Sequence, residues 1–164
     1  MITKHKARFL KDANAKTIKV TKEIDAPIQK VWDAWTNANE LDKWWGPKPW
    51  NAVTKKMDFK ENGSWFYYMA GPKGEKQWSK ADFHKIEIHD RFSATESFTD
   101  EKGNRDTQMP AMEWDTHFSK INSGTKIEVN VSFSSKEDMD KILKTGFEEG
   151  FSTGLDQLEE LLSD

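Results

Sequence analysis

Apolar and polar residues alternate along Thr17–Ile24 (TIKVTKEI), placing Ile18, Val20 and Ile24 on one side and the lysines and threonines on the other. A period of two marks a half-buried β-strand. The period lengthens after Asp25-Ala26-Pro27, where Asp25 can cap and proline suits a first helical turn. Ile28, Val31, Trp32 and Trp35 then recur at helical spacing and predict one aromatic-rich face. The asparagines at 37 and 39 end that helix. A second short helix is predicted over residues 40–45, with Leu41, Trp44 and Trp45 on one side, and Gly46-Pro47-Lys48-Pro49 stops it.

From there the pattern is strand, turn, strand. Strands are predicted over residues 53–59, 64–69, 77–87, 91–98, 114–121 and 125–133. The turns between them carry their own chemistry, as in Gly71-Pro72-Lys73-Gly74 and Asn122-Ser123-Gly124. Residues 135–162 change period again: Met139, Ile142, Leu143, Phe147, Phe151, Leu155 and Leu158 recur every three or four positions. Ser135 is positioned as its cap, with Asp138 three residues on. The prediction is one long amphipathic helix. Consecutive strands with short turns imply antiparallel pairing, so the order predicts an α+β domain: a curved antiparallel sheet of about six to seven strands with the long helix laid across it. Residues 1–16 are polar and irregular and are expected to form a tail or an edge-covering arm, outside a single domain spanning 17–164.

Length and composition narrow the picture. A chain of 164 residues fits one domain with a sizeable core. It has 8 Trp and 10 Phe, so much of its apolar content is aromatic, and each buried ring removes roughly 150–250 Å² from water. A net charge of -3 with lysines scattered among acids gives no basic footprint for nucleic acid. There is no cysteine, hence no disulfide framework or thiolate chemistry. No run approaches the roughly 20 apolar residues of a membrane span, and no signal-peptide run is visible, so a soluble cytoplasmic protein without membrane contact is expected.

Three tryptophans lie within ten residues in LDKWWGPKPW, residues 41–50, around two prolines and a glycine. Either they fill a core, or some close a cavity. The same choice applies to the inward strand faces, read as Trp65, Tyr67 and Met69; Ala81 and Phe83; Ala94 and Phe98; and Trp114, Thr116 and Phe118. It applies also to Gly146, Gly150 and Gly154, spaced by four on one helical stripe, where the missing side chains serve close packing or leave room over an enclosed volume.

Three segments in order carry a resemblance: IDAPIQKVWDAWTNANELDKWWGP, NGSWFYYMAGPKGE and GFEEGFSTGLDQLEELL. Together they resemble the homologues of the activator of heat-shock-protein-90 ATPase, in the START-like helix-grip superfamily of polyketide cyclases and lipid-binding domains. Ala26-Pro27 and Val31-Trp32 match that family's entry from strand to helix. Trp44 to Pro47 match its tryptophan–glycine–proline segment, and Gly63, Trp65, Tyr67 and Met69 its glycine-aromatic strand. Gly146 and Gly150 match its helix glycines. Asn62 and Phe151 depart from the family's usual glycine and tryptophan. The resemblance implies the helix-grip fold, with an elongated cavity between sheet and helix. It implies function weakly, because the superfamily hosts binders, cyclases and co-chaperone domains. The length of the chain is an expectation against chaperone activation, which leans on a separate amino-terminal domain.

The expected function is therefore non-catalytic binding of an apolar or aromatic small molecule, with no cofactor and no metal. The expected walls are Trp35, Trp65, Tyr67, Met69, Phe83, Phe98, Trp114, Gly146, Phe147 and Gly150, with Trp44 and Trp45 at an opening. A cavity enzyme of cyclase or hydrolase type is the alternative. Its weak candidate is Glu96, which shares parity with Ala94 and Phe98 and would have a raised pKa if buried. His84, His117, Asp82 and Asp115 are read as outward-facing, and no catalytic triad or phosphate-loop spacing appears. A third alternative is a chaperone-associated interaction module using Phe66 and Tyr68 on the outer face, where a homodimer would cover the same surface.

Overall fold

The computed structural model describes residues 5–163. Its frame is one eight-stranded antiparallel sheet. The strands are β1 (Arg8–Asp12), β2 (Thr17–Ile24), β3 (Asn51–Met57), β4 (Ser64–Ala70), β5 (Lys76–Glu87), β6 (Arg91–Thr99), β7 (Met112–Ile121) and β8 (Gly124–Ser132). Their spatial order is β1-β2-β8-β7-β6-β5-β4-β3. Neighbours from β3 to β8 are consecutive in sequence and joined by turns of six residues or fewer, except for the longer loop over residues 100–111 between β6 and β7. The one long jump is from β2 to β3, which lie on opposite sides of the sheet. Helices α1 (Ile28–Thr36) and α2 (Ala38–Trp44) make that crossing. Helices α3 (Lys136–Leu143) and α4 (Phe147–Leu161) close the chain.

The alternation in the strands has its expected physical outcome. Trp65, Tyr67, Ala81, Phe83, Ala94, Trp114, Thr116 and Phe118 are buried on the face toward the helices, as are Ile127, Val129 and Val131 of β8. From α4, Phe151, Leu155 and Leu158 enter the same core. Side chains two apart on a strand share a face, so one polar-for-apolar exchange puts a polar group inside. That happens at Lys22, which follows Ile18 and Val20 in parity and is 1% exposed, although the alternating pattern assigned the lysines of this strand to solvent.

Four details correct the sequence reading. The amino-terminal arm is not irregular throughout: Arg8–Asp12 pairs with β2 from Arg8↔Thr21 to Asp12↔Thr17 and gives the sheet its eighth strand. Asp25 does not cap α1; Pro27 is its N-cap residue and no side chain caps it. The second helix begins at Ala38 rather than 40, with the Asn37 side chain accepting from the Asn39 N–H. Finally, the predicted single carboxy-terminal helix is two helices. Ser135 caps α3 by accepting from the Asp138 N–H at 3.1 Å, but the chain turns at Gly146, whose φ of +85° is left-handed. Glycine reaches that region without steric cost. The break is invisible to periodicity because Leu143 and Phe147, on either side of it, are still four residues apart.

Candidate functional site

The tryptophan-rich segment after α2 is held from beneath. Trp44 is completely buried, and its indole N–H donates to the Ala34 carbonyl at 2.8 Å. Gln157 of α4 clamps the loop: its Nε2 donates to the carbonyls of Trp44 (2.9 Å) and Gly46 (2.8 Å), and its Oε1 accepts from the Lys48 N–H at 2.9 Å. At Gly46 the chain passes so close to the start of β3 that a Cβ would lie 2.5 Å from Asn51 Cα. Fixed in this way, the loop presents Trp45 and Trp50 toward the sheet.

Between this loop, α4 and the inner faces of β4 to β7 lies a pocket of about 380 Å³. Trp45, Pro47 and Trp50 line it from the loop; Tyr67, Met69, Gln77, Ser79, Glu96, Ser97, Phe98, Met112 and Trp114 from the sheet; and Thr145, Phe147, Gly150 and Phe151 from α4 and the turn before it. The rings interlock in edge-to-face and tilted contacts. Trp45 lies 5.8 Å from Trp114, and Trp114 lies 5.3 Å from Phe151 and 6.0 Å from Phe147, centroid to centroid. A second, inner void of about 30 Å³ lies under the first and shares Trp45, Glu96 and Trp114 with it.

The polar feature of the pocket is a relay across its sheet side. The Trp45 indole N–H donates to Tyr67 Oη at 3.1 Å, and the Tyr67 hydroxyl donates to Glu96 Oε1 at 2.5 Å. Tyr67 is itself oriented by stacking on Trp65, with centroids 3.8 Å apart and planes 18° apart. Trp65 is fixed in turn by its N–H bond to Thr54 Oγ1 (2.9 Å), which donates to Asp42 (2.7 Å). Glu96 is only 9% exposed. No hydrogen bond from the described residues reaches its second oxygen, Oε2. Burial pushes the Glu96 carboxyl up to about 7; the hydrogen bond from Tyr67 acts the other way, and the Asp82 charge adds to the rise. Burial likewise pushes the Tyr67 hydroxyl well above its ordinary range, with the Glu96 charge second. None of the residues lining the pocket is Lys, Arg or His. The Trp114 indole N–H is a buried donor without a partner among the described residues. Among those residues no cluster of potential metal ligands occurs.

A family model described as Activator of Hsp90 ATPase homolog 1-like protein matches residues 25–163. The chain belongs to this family. No curated protein matches it. Solved structures do. The crystal structure of protein Ms6760 from Mycobacterium smegmatis is similar at 28% identity, with TM-score 0.89 and coverage of 95% of this chain and 96% of that one. A solution structure of a protein from Arthrobacter aurescens is similar at 29% identity, with TM-score 0.90 and coverage of 95% and 91%. The AHSA1-like protein from Aeromonas hydrophila, at 18% identity, TM-score 0.69 and coverage of 88% and 93%, shares the fold. The helix-grip architecture is thus that of the Activator of Hsp90 ATPase homolog 1-like family.

Placed on this family member, the expected wall residues separate into groups. Trp45, Tyr67, Met69, Phe98, Trp114, Phe147 and Gly150 line the open pocket together with Glu96. Trp35, Trp65 and Phe83 line the inner void instead, behind Trp45. Trp44 is not at an opening; it is core beneath the loop. Gly146 is not among the residues lining either space. The glycine stripe divides similarly, since Gly150 borders the pocket, while a Cβ on Gly154 would sit 3.5 Å from the carbonyl oxygens of Trp44 and Trp45. Phe151, Met112, Pro47 and Trp50 also line the pocket but were absent from the expected walls. The signal for Phe151 was available, four residues after Phe147 on one helix face. Met112 lay before the predicted start of its strand, and Trp50 and Pro47 sit in a loop that no periodicity describes. On the outer face, Phe66 and Tyr68 both pack on Trp78, at 5.0 and 4.6 Å. Among the described residues, no helix is long and apolar enough to cross a membrane.

Proposed function

We propose that this protein binds a small, largely aromatic or apolar molecule in the pocket between the sheet and α4. The observation that carries the reading is the pocket itself: about 380 Å³, walled mainly by rings, with one polar relay and the side chains of Gln77, Ser79, Ser97 and Thr145 at its edges. Ligand sites are typically about 300–1,000 Å³, mostly apolar, with few placed polar groups. Trp45 serves both as wall and as donor in the relay, so the loop that carries it is the natural sensor of occupancy. The family fold, which encloses such a space between sheet and helix, supports the same reading.

The test is native mass spectrometry on freshly purified protein with a denatured sample as control, followed by calorimetric titration with naphthalene derivatives. Retained mass that is lost on denaturation, or saturable binding that Phe151→Trp weakens by filling the pocket, is the expected result. The absence of both retained mass and saturable binding would refute the proposal.

One observation favours a second reading. A buried carboxyl near neutrality, hydrogen-bonded to Tyr67 and open to the pocket at its other oxygen, fits a general acid or base. On that reading Glu96→Gln abolishes turnover of an ester or enolisable ketone placed in the pocket, while retaining its binding.

A further inference from the structure

The charge at Glu96 is unbalanced in a way that points to a ligand class. The residues lining the pocket include no basic side chain to neutralise it. Lys48, Lys76 and Lys144 neighbour lining residues in sequence but do not themselves line the pocket. Tyr67 faces it from β4, and Asp82 of β5 adds negative charge. From β7 come Met112 and Trp114, and from α4 Phe147 and Phe151, none of which titrates. The loop after α2 contributes Trp45 and Trp50, also uncharged. Lys80 of β5 lies 3.5 Å from Asp82 and is occupied there.

A buried carboxylate is stable only when a cation or several donors meet it. Here one oxygen has a single donor and the other has none from the described residues. The surrounding walls are aromatic faces, which attract cations through the ring quadrupole, tryptophan most strongly. Resting on the pocket's being a ligand site, we infer that its ligand is an aromatic amine carried as a cation, with the ammonium group donating to Glu96 Oε2 and the apolar body lying among Trp45, Trp114, Phe147 and Phe151. The ligand completes an ion pair that the protein half builds. An ammonium has three N–H donors; one meets Glu96, and Ser79, Ser97 and Gln77, which also line the pocket, carry uncharged oxygens able to accept from the others. Recognition is then charge-selective: a carboxylate of the same shape would meet Glu96 as a like charge.

Three probes of matched shape separate this from simple apolar binding: 2-(1-naphthyl)ethylamine, 1-propylnaphthalene and 3-(1-naphthyl)propanoate, each titrated calorimetrically at about pH 8. The amine is expected to bind about tenfold or more tightly than the hydrocarbon, and the propanoate more weakly than either. In Glu96→Gln the amine's advantage over the hydrocarbon disappears. A measurement on the unaltered protein guards against a misfolded variant. Because Glu96 titrates at about 7, cation binding at about pH 6 must expel its proton. Titrations in two buffers of different ionisation enthalpy should therefore read release of close to one proton for the amine and none for the hydrocarbon. The amine's affinity should rise about tenfold from pH 6 to pH 8 and then level off. Binding of the hydrocarbon as tightly as the amine, or amine binding without proton release, overturns the charge assignment and leaves the pocket proposal standing. Failure of all three probes to bind overturns both.

Discussion

Among the described residues two glutamates are buried, at opposite ends of the space between sheet and helix, and their surroundings differ in one respect. Glu159 of α4 meets Lys22 of β2 at 2.9 Å, and both side chains are 1% exposed. The same carboxylate accepts from the His5 N–H at 3.1 Å, Lys22 donates to the His5 carbonyl, and Asp156 adds a longer contact at 3.4 Å. Every charge there has a protein partner. Glu96 has Tyr67, and no cation among the residues of its pocket. The first end is a closed structural pair that ties the amino-terminal segment, β2 and α4 together. The second is a buried acid facing a cavity. The comparison teaches that burial of a carboxylate is not by itself a functional sign; burial without a countercharge, beside space, is.

The comparison is broken most strongly by removing the cation from the closed end. Lys22→Met strands Glu159 and should cost about 3–5 kcal/mol of folding stability, read from urea denaturation. An unchanged midpoint would mean that Glu159 finds water and that the end is not closed.

The next effect concerns Glu96 and pH. Above about pH 4.5 the unfolded chain ionises this carboxyl while the folded one keeps its proton until about 7. Its contribution to stability is therefore fully present at or below pH 4.5, falls as pH rises, and levels off above 7. Glu96→Gln removes that loss, so its stability relative to the unaltered protein should improve by about 3 kcal/mol between about pH 4.5 and pH 8. Parallel denaturation series at several pH values check it. A constant difference would place Glu96 in water.

Tyr67→Phe sharpens the same end by removing the donor to Glu96. The lost bond should cost about 1 kcal/mol and move the Glu96 titration further upward, which carbon NMR of the labelled carboxyl would read. The smallest effect belongs to Asp156→Asn. Asp156 is 56% exposed, so its loss should change stability by about 1 kcal/mol or less, marking Glu159 and not Asp156 as the partner that closes the Lys22 end.

The two ends were not equally legible beforehand. Glu96 could be assigned inward by parity with Ala94 and Phe98, because a strand has only two faces. Lys22 obeyed the same parity with Ile18 and Val20 and was misassigned, because lysine is rarely buried unless paired, and its partner lies 137 positions away. The three tryptophans after α2 show the same limit. Their residue types announced a role beyond an ordinary loop. Which one is core (Trp44), which joins the relay (Trp45) and which borders the pocket (Trp50) depends on Gln157 and the approach of α4.

By itself the sequence determined most of the elements and most of their faces: strands from a period of two, helices from a period near four, turns from glycine, proline and asparagine, and the family from three ordered segments. These are local properties, written in neighbouring residues. Only the tertiary structure decided that Gly146 is a hinge, that β1 extends the sheet, that Trp65 and Phe83 lie behind Trp45, and that Glu96 lacks a cation while Glu159 has one. Each of those turns on which distant groups meet, and burial energies belong to such meetings, not to single positions.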